Sequence, residues 1–272
     1  MEKILISGDS WSNPNYKSRI HLDYKHTLTW PDMLKGDVTN VSVSGLDNIS
    51  IINNALQAIY MDKPDRVIIA LSCWSRYATP EYRINPLFLF NTSAKNVNDR
   101  FKNNDDSFEY KRQVKHLAGM MGFTEDIHDV NNFLRDFISR NISRFVLNTS
   151  LALMNIIHIC DLLNIKLHIF QTFSAFSCTK YTQLETQFEK ELISSELFLD
   201  LYDHKAKVNL IGYPWIKNAG GLLACDVLDR SKDFIGNSTA DRRNGQWDGH
   251  PNQDGHRKIG EWFNETHKDY EI

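Results

Sequence analysis

Residues 3–11 read KILISGDSW, a short apolar run that stops at Gly8, Asp9 and Ser10. Successive apolar residues are typical of a strand that is covered on both faces of a parallel sheet. Glycine, aspartate and serine are common turn formers, so the stretch predicts a buried strand followed by a tight turn. Ligands bind at the carboxyl edge of open parallel sheets, and a hydroxyl placed there can act as a nucleophile. The stretch therefore indicates either an ordinary turn or a reactive serine.

Further strand-like segments alternate with helix-like segments along the chain. The segment RVIIALS at 66–72 is almost continuously apolar, whereas VTNVSVS at 38–44 alternates apolar and polar residues. Strand and helix in alternation predict an α/β fold with a parallel sheet. The predicted strands are Ile4–Ser7, Val38–Ser44, Arg66–Ser72 and Lys166–Phe173, and the predicted helices are Asn48–Met61, Phe145–Leu163 and Asn252–His267.

The length and composition are those of a globular protein. The chain has 272 residues, of which 42% are hydrophobic and 24% charged. A chain of this length can bury most of its unfolded surface without a disulfide or a metal. The polar stretch 77–144 interrupts the alternation and predicts an insertion after the third strand, acting as a lid, as a substrate-binding element or only in packing. We expect one domain over residues 1–272 that contains this insertion.

The charge balance and the N-terminus limit the partners. The formal net charge is -3 and no basic run is longer than Arg242-Arg243, so no nucleic-acid partner is expected. The N-terminal apolar run is too short for a signal peptide or a membrane span, which predicts a cytoplasmic protein without a membrane partner. Incorporation into a virus particle is an alternative. The scattered cysteines predict buried free thiols rather than a zinc site: Cys73, Cys160, Cys178 and Cys225.

Candidate partners for Ser10 lie near the other end of the chain, where residues 246–252 read QWDGHPN. Asp248 stands two residues before His250, just ahead of the last predicted helix. A serine hydroxyl becomes a good nucleophile when an imidazole accepts its proton, and a carboxylate can orient that imidazole and stabilise its charged form. Pro251 restricts the backbone beside the histidine. One loop can therefore supply both the base and its orienting group.

Three motifs resemble those of the SGNH/GDSL hydrolases: GDSW after the first strand, the glycine of SVSGLDN after the second, and DGHPNQDGH before the last helix. The middle third of the chain matches only in its α/β alternation. The resemblance implies a flavodoxin-like three-layer α/β/α fold and the hydrolysis or transfer of acyl esters without a metal or other cofactor. It implies Ser10 as nucleophile, His250 as general base and Asp248 as its carboxylate partner. It also implies that the backbone N–H groups of Gly45 and Ser10 form an oxyanion hole.

Two features depart from the family pattern. The family has Gly-x-Asn-Asp at the end of the third strand, where the asparagine donates to the oxyanion, but this chain reads LSCWSR at 71–76. We therefore expect a replacement donor from Ser72, Ser75 or Asn48. The usual Asp-x-x-His spacing is also shortened here to Asp248-Gly249-His250.

Several residues keep more than one interpretation. His256 is the rival base, and Asp248 could instead cap a helix or lie in a turn. Asp9 is expected to hold the serine turn through backbone hydrogen bonds. Arg76 could bind an acidic substrate group or form an ordinary salt bridge. Three tryptophans beside the predicted edge could contact a sugar or an acyl chain, or pack in the core: Trp11, Trp74 and Trp247.

The expected activity is hydrolysis of an O-acyl ester of a small molecule or glycan, with O-acetyl carbohydrates as the preferred class. One alternative is an acyltransferase that uses the same residues and an acceptor alcohol. The other is a catalytically silent binding or structural module, which the absence of the third-block asparagine favours.

Overall fold

The structure is a computed structural model that describes residues 1–18, 21, 23–24, 27–74, 77–78, 83–84, 130–172, 182–203, 208–211, 227–229, 231–236 and 249–266. Its strands are β1 (Lys3–Ser7), β2 (Asp37–Asn40), β3 (Arg66–Leu71), β4 (Tyr77–Ala78), β5 (Arg83–Ile84), β6 (Lys166–Gln171) and β7 (Val208–Ile211). Within these residues, β4 and β5 form a separate antiparallel pair, and the other five strands form one parallel sheet.

The parallel sheet has the order β2-β1-β3-β6-β7. Counted along the chain without the hairpin, this is the order 2-1-3-4-5 of flavodoxin-like doubly wound folds, in which ligands bind where the order reverses, between the first and third strands. Ile4 pairs with Val38 on one side and with Arg66 on the other, which fixes β1 between its neighbours. The predicted α/β class is confirmed, and the turn after β1 lies at the switch point.

The strands bury side chains on both faces of the sheet. Leu5 and Ile69 lie in a hydrophobic core on one face of the sheet, whereas Ile6 and Ile68 lie in a second core on the opposite face. Adjacent strand residues point to opposite faces, so an uninterrupted apolar run fills both cores. The sheet is therefore the middle layer of three.

Five helices are described, together with a short 3-10 turn at Trp30–Met33. The 3-10 turn packs with the last helix through the aromatic pair Trp30 and Phe263. The helices are α1 (Asn48–Asp62), α2 (Val130–Leu162), α3 (Thr182–Ser194), α4 (Glu196–Asp203) and α5 (Gln253–Thr266). Buried side chains of α1 to α4 lie in the first core, and those of α5 lie in the second, which completes the α/β/α layering.

Helix α2 begins at Val130, fifteen residues before the predicted start at Phe145. The prediction of the helix start was wrong because the polar residues of 130–144 were read as part of the insertion. The proposed insertion itself remains a prediction, since residues 85–129 lie outside the described part of the chain. Helices α3 and α4, strand β7 and the hairpin were not predicted.

Strand β2 ends at Asn40 rather than at the predicted Ser44. The Asn40 side chain explains this early end, because its amide nitrogen donates to the Ser12 carbonyl at 2.8 Å and its oxygen accepts the Ser42 N–H at 3.0 Å. The chain beyond Asn40 still bonds to the first strand, with the Val41 N–H donating to the Ile6 carbonyl at 2.9 Å. These bonds bring the loop after β2 over the turn that carries Ser10.

One helix in the described part of the chain is long and apolar enough, by length and composition alone, to cross a membrane: Ser139–Leu162 of α2. Its buried side chains, including Ile142, Leu153 and Ile156, lie in the same core as β3. Core helices pass the same test, and 44% of this apolar window is buried inside the structure.

Candidate active site

Ser10 lies in a compact turn at the carboxyl end of β1. The Asp9 carboxylate accepts the Trp11 N–H at 3.1 Å, and the Asp9 carbonyl accepts the Ser12 N–H at 3.1 Å. Gly8 is required by close packing, because a Cβ at that position would lie 2.6 Å from Ser12 Oγ. The Asp9 side chain thus holds the turn through backbone bonds, which is the geometry expected from the sequence.

The loop after β2 is bonded to the same turn. Asn13 donates through its amide nitrogen to Ser44 Oγ at 2.9 Å, and the Val43 N–H donates to the Gly8 carbonyl at 3.1 Å. Gly45 follows with φ 79°, in the left-handed region that favours glycine. These contacts bring the Gly45 loop beside the Ser10 turn.

His250 is positioned by an antiparallel contact with the segment 233–235. The Ile235 N–H donates to the His250 carbonyl at 3.0 Å, and the Asn252 N–H donates to the Asp233 carbonyl at 2.8 Å. A bridge between Phe234 and Pro251 lies between these two bonds. Both flanks of the histidine backbone are therefore fixed before helix α5 begins.

Helix α5 and this segment are joined by a buried carboxylate. Asp233 is 1% exposed, and both of its oxygens contact Lys258 Nζ, at 2.9 and 2.7 Å. Asn252 caps the helix by accepting the Gly255 N–H at 3.0 Å. Gly255 permits the close approach, since a Cβ there would stand 2.3 Å from the Asp233 carbonyl oxygen.

The structure brings Ser10 and His250 together across 240 residues of sequence. Ser10 Oγ lies 2.7 Å from His250 Nε2, within hydrogen-bonding distance. Ser10 is 7% exposed, so its side chain is buried rather than lying on an open surface. The Tyr16 ring stacks on the His250 imidazole, with centroids 3.8 Å apart and planes inclined by 22°.

The rival histidine lies elsewhere. His256 is 2% exposed inside α5, where its Nδ1 accepts the Trp30 N–H at 3.4 Å. That bond places it in the layer between α5 and the 3-10 turn. The geometry favours His250 as the group that faces Ser10. Asp248, Arg76 and Ser75 lie outside the described residues.

Asn48 is buried at the start of α1 and is oriented by Ser72. Its Oδ1 accepts the Ser72 backbone N–H at 2.8 Å, and Ser72 Oγ donates to the Leu46 carbonyl at 3.0 Å. A backbone N–H can only donate, so the oxygen of the Asn48 amide must face Ser72 and the nitrogen must face away. Among the described residues, Asn48 Nδ2 is buried without an acceptor. Both donors of Ser72 already have acceptors, which favours Asn48 over Ser72 as the additional donor.

The two backbone donors expected from the sequence are also available. Within the described ranges, neither the Ser10 N–H nor the Gly45 N–H donates to another group. Gly45 is an exposed residue. The Ser10 turn and the Gly45 loop therefore each contain a backbone N–H without an acceptor among the described residues.

The described tryptophans of this region pack in the core. Trp11 is 4% exposed and meets Phe234 edge-on at 5.6 Å, and Trp74 is 2% exposed and meets Phe188 at 5.9 Å. Neither offers a free ring face to a sugar. Trp247 lies outside the described residues.

Two of the four cysteines, Cys73 and Cys160, are described, and both are buried thiols outside any disulfide, as predicted. Burial, with a smaller contribution from the neighbouring Asp161 carboxylate, raises the pKa of Cys160 to about 12. No group of three or more His, Cys, Asp or Glu side chains gathers in the described part of the chain, so these residues offer no metal centre.

Sequence reasoning did not identify Tyr16, Asn13 or Asn40. Asn13 and Tyr16 are loop residues without periodicity, so the pattern carried no sign of their contacts. Asn40 lay inside the predicted strand Val38–Ser44, so nothing in the pattern marked it as the residue at which β2 ends.

Comparisons with known proteins returned structures but no sequence match. No protein-family profile and no curated protein matches the chain. A protein described as lipolytic and of the G-D-S-L family, from Desulfitobacterium hafniense DCB-2, is similar with a TM-score of 0.46 and 10% identity, over 97% of this chain and 99% of that chain. The psychrotrophic esterase EstA from Pseudoalteromonas sp. is similar with a TM-score of 0.41 and 12% identity, over 97% and 96% of the two chains. A catalytic mutant of the acetylxylan esterase Axe2 from Geobacillus stearothermophilus has a TM-score of 0.44 and 11% identity, over 96% and 92%.

The sheet order and the Gly-Asp-Ser turn after its first strand are features of the described structure itself. The histidine loop before the last helix meets that turn at the switch point of the sheet. Together these features give the chain an SGNH/GDSL hydrolase-like fold.

Proposed function

We propose that the protein is a serine esterase that hydrolyses O-acyl esters through a covalent acyl-enzyme. The observation that carries this proposal is the 2.7 Å contact between Ser10 Oγ and His250 Nε2. A nucleophile and its base must lie within hydrogen-bonding distance for the proton to pass directly between them. The pair also lies at the sheet edge where ligands of doubly wound folds bind.

In the proposed reaction Ser10 Oγ attacks the acyl carbonyl carbon as its proton passes to His250 Nε2. The tetrahedral intermediate collapses, the bond from carbon to the alcohol oxygen breaks, and His250 protonates the departing alcohol. Water then attacks the acyl-Ser10 carbonyl and gives its proton to the same nitrogen. Collapse of the second intermediate releases the carboxylic acid and restores the Ser10 hydroxyl with the proton held on His250.

The oxyanion of each intermediate is proposed to bind the backbone N–H groups of Ser10 and Gly45 and the Asn48 amide. A buried donor that lacks an acceptor costs about 1–3 kcal/mol, so the unpaired Asn48 Nδ2 is consistent with an acceptor that arrives with the substrate. Ser7 Oγ donates to the Ile51 carbonyl at 2.6 Å, which packs the first turn of α1 against the end of β1. Asn48 thus starts α1 at the same edge as Ser10.

Asp248 is proposed to orient His250 and to stabilise its protonated form. This role rests on the sequence spacing and on the resemblance, because Asp248 lies outside the described residues. Arg76 keeps its two interpretations for the same reason.

The proposed substrates are simple acyl esters. The carbohydrate prediction was based on the family resemblance and on three tryptophans, and two of these, Trp11 and Trp74, are buried in the core. O-acetyl carbohydrates are therefore included as one arm of the substrate panel rather than as the stated substrate.

The proposal is tested by the hydrolysis of p-nitrophenyl acetate by the wild type, Ser10→Ala and His250→Gln. We expect both variants to lose about 10⁴-fold or more in kcat. Ser194→Ala, an exposed serine on α3, should keep the wild-type rate. Equal rates in the wild type and Ser10→Ala would contradict the proposal and favour a binding module.

The acyltransferase alternative is tested in the same assay with added alcohol or sugar acceptors. A hydrolase releases mainly the free acid at all acceptor concentrations. Transfer of most acyl groups to the acceptor would identify a transferase that uses the same serine.

A further inference from the structure

The Tyr16 ring covers one face of the imidazole that meets Ser10. Its centroid is 3.8 Å from that of His250, and the planes are inclined by only 22°. An imidazole bonded only at its edge can still tilt, because terminal torsions of histidine have broad minima. A stacked ring removes this freedom by fixing the plane of the imidazole, which hydrogen bonds at the ring nitrogens do not do alone.

The loop that carries Tyr16 is bonded to the Gly45 side of the site. The Tyr16 N–H donates to the Asn13 carbonyl at 3.1 Å, and the Asn13 side chain donates to Ser44 Oγ at 2.9 Å. Asn13 Oδ1 also accepts the Asn15 N–H at 2.9 Å. The stacking ring is therefore attached to the same structure that places Gly45, rather than to a freely moving loop.

We propose that Tyr16 is a positioning residue for His250, whose ring it stacks on to hold Nε2 toward Ser10 and to stabilise the imidazolium formed when Ser10 gives up its proton. The electron-rich face of an aromatic ring attracts a cation that lies over it. In this reaction the imidazole becomes cationic only after Ser10 has begun to attack, so the attraction is strongest in the transition state. An interaction of that kind raises kcat with little effect on KM.

This inference rests on the proposed esterase function, and its test separates the two. Tyr16→Leu removes the ring and keeps bulk, whereas Tyr16→Phe keeps the ring and removes the hydroxyl. Tyr60→Leu is the matched control, since Tyr60 is 84% exposed on α1. We expect Tyr16→Leu to lower kcat about 3- to 30-fold with KM unchanged, and both Tyr16→Phe and Tyr60→Leu to stay within about twofold of the wild type.

The stacking of the Tyr16 ring on His250 can also be measured without turnover. Proton NMR of histidine ring signals, with His250 assigned by its loss in His250→Gln, should show the His250 protons shifted upfield by the Tyr16 ring. Tyr16→Leu should abolish that shift, and Tyr16→Phe and Tyr60→Leu should keep it.

The two proposals fail in different ways. Absence of Ser10-dependent turnover in the wild type would overturn the esterase proposal and with it the catalytic part of this inference, while the NMR shift would still decide whether the ring is held. Unchanged kcat in Tyr16→Leu, an effect on KM alone, or an equal loss in Tyr16→Phe would overturn the positioning role in an active esterase.

Discussion

Asn48 Oδ1 accepts the Ser72 backbone N–H at 2.8 Å, so the amide nitrogen of Asn48 faces away from Ser72, and within the described ranges it is buried without an acceptor. An asparagine at the end of the third strand supplies an oxyanion donor in the family that the sequence resembles. Here we propose that Asn48, a residue of α1 held by Ser72, supplies the same chemical group.

Asn48→Asp keeps the acceptor for Ser72 and replaces the donor by a carboxylate oxygen. We expect kcat for p-nitrophenyl acetate to fall about 100- to 1,000-fold, because one oxyanion donor is lost. Asn48→Ser tests the same loss without a buried charge. Ser72→Ala, which keeps the backbone N–H, should lose less than tenfold. Retention of kcat within threefold in a folded Asn48→Ser variant would exclude the amide as a donor.

Asp233 is expected to stabilise the histidine loop through Lys258. Asp233→Asn should reduce the free energy of unfolding by about 2 kcal/mol, because it weakens hydrogen bonds to a charged group at a buried site. Urea unfolding measures this change. The control is Asp254→Asn, which removes an exposed contact with Arg257 and should cost less than about 0.5 kcal/mol. Equal costs in the two variants would mean that the buried pair adds no stability.

Gly255→Ala should misplace the histidine loop. The new Cβ would stand 2.3 Å from the Asp233 carbonyl oxygen, and a backbone atom can move only with its segment. We expect a loss of about 1–3 kcal/mol in unfolding free energy and a fall in kcat, since 233–235 hold the His250 backbone. Gly260→Ala is the matched change in the same helix, where the three atoms nearest the new Cβ, at 2.9 to 3.4 Å, belong to the Met33 side chain rather than to backbone. Equal activity and stability of the Gly255→Ala and Gly260→Ala variants would contradict the proposed need for the close approach of Gly255 to the Asp233 carbonyl.

Cys160 should resist alkylation in the folded protein. Burial raises the pKa of its thiol from the ordinary 9.0 to about 12, so almost none of the reactive thiolate is present at pH 8. Peptide mass spectrometry after iodoacetamide treatment at pH 8 should find Cys160 unmodified, and guanidinium should make it reactive. Because the folded pKa exceeds the unfolded one, this thiol also makes unfolding easier as pH rises from 9.0 toward 12. Rapid labelling at pH 8 without denaturant would contradict its burial.

Much of the sheet could be predicted from the sequence because its strands are covered on both faces. A central strand of a parallel sheet is the arrangement that buries successive apolar side chains such as those of RVIIALS. The observed β3 ends one residue before the predicted boundary. The start of α2 was missed although Phe133, Leu134, Phe137 and Ile138 recur at helical spacing. The polar residues between them are typical of a surface insertion. The prediction therefore followed the polar composition of the segment rather than its helical periodicity.

The two candidate catalytic groups could be named because each lies in a short motif beside a predicted element. Tyr16 could not, since its contact with His250 depends on how two loops 234 residues apart come together. The orientation of the Asn48 amide could not be predicted from the sequence either. It is fixed by a backbone N–H of Ser72, and no residue type reveals where a backbone donor will point.

The central claim, that His250 activates Ser10, is tested most directly by labelling with a fluorophosphonate, which reacts only with an activated serine. Mass spectrometry of the wild type should show one adduct, on Ser10, formed at least about 100-fold faster than in His250→Gln. An unlabelled Ser10 in folded protein, or equal labelling rates with and without the imidazole, would contradict the account.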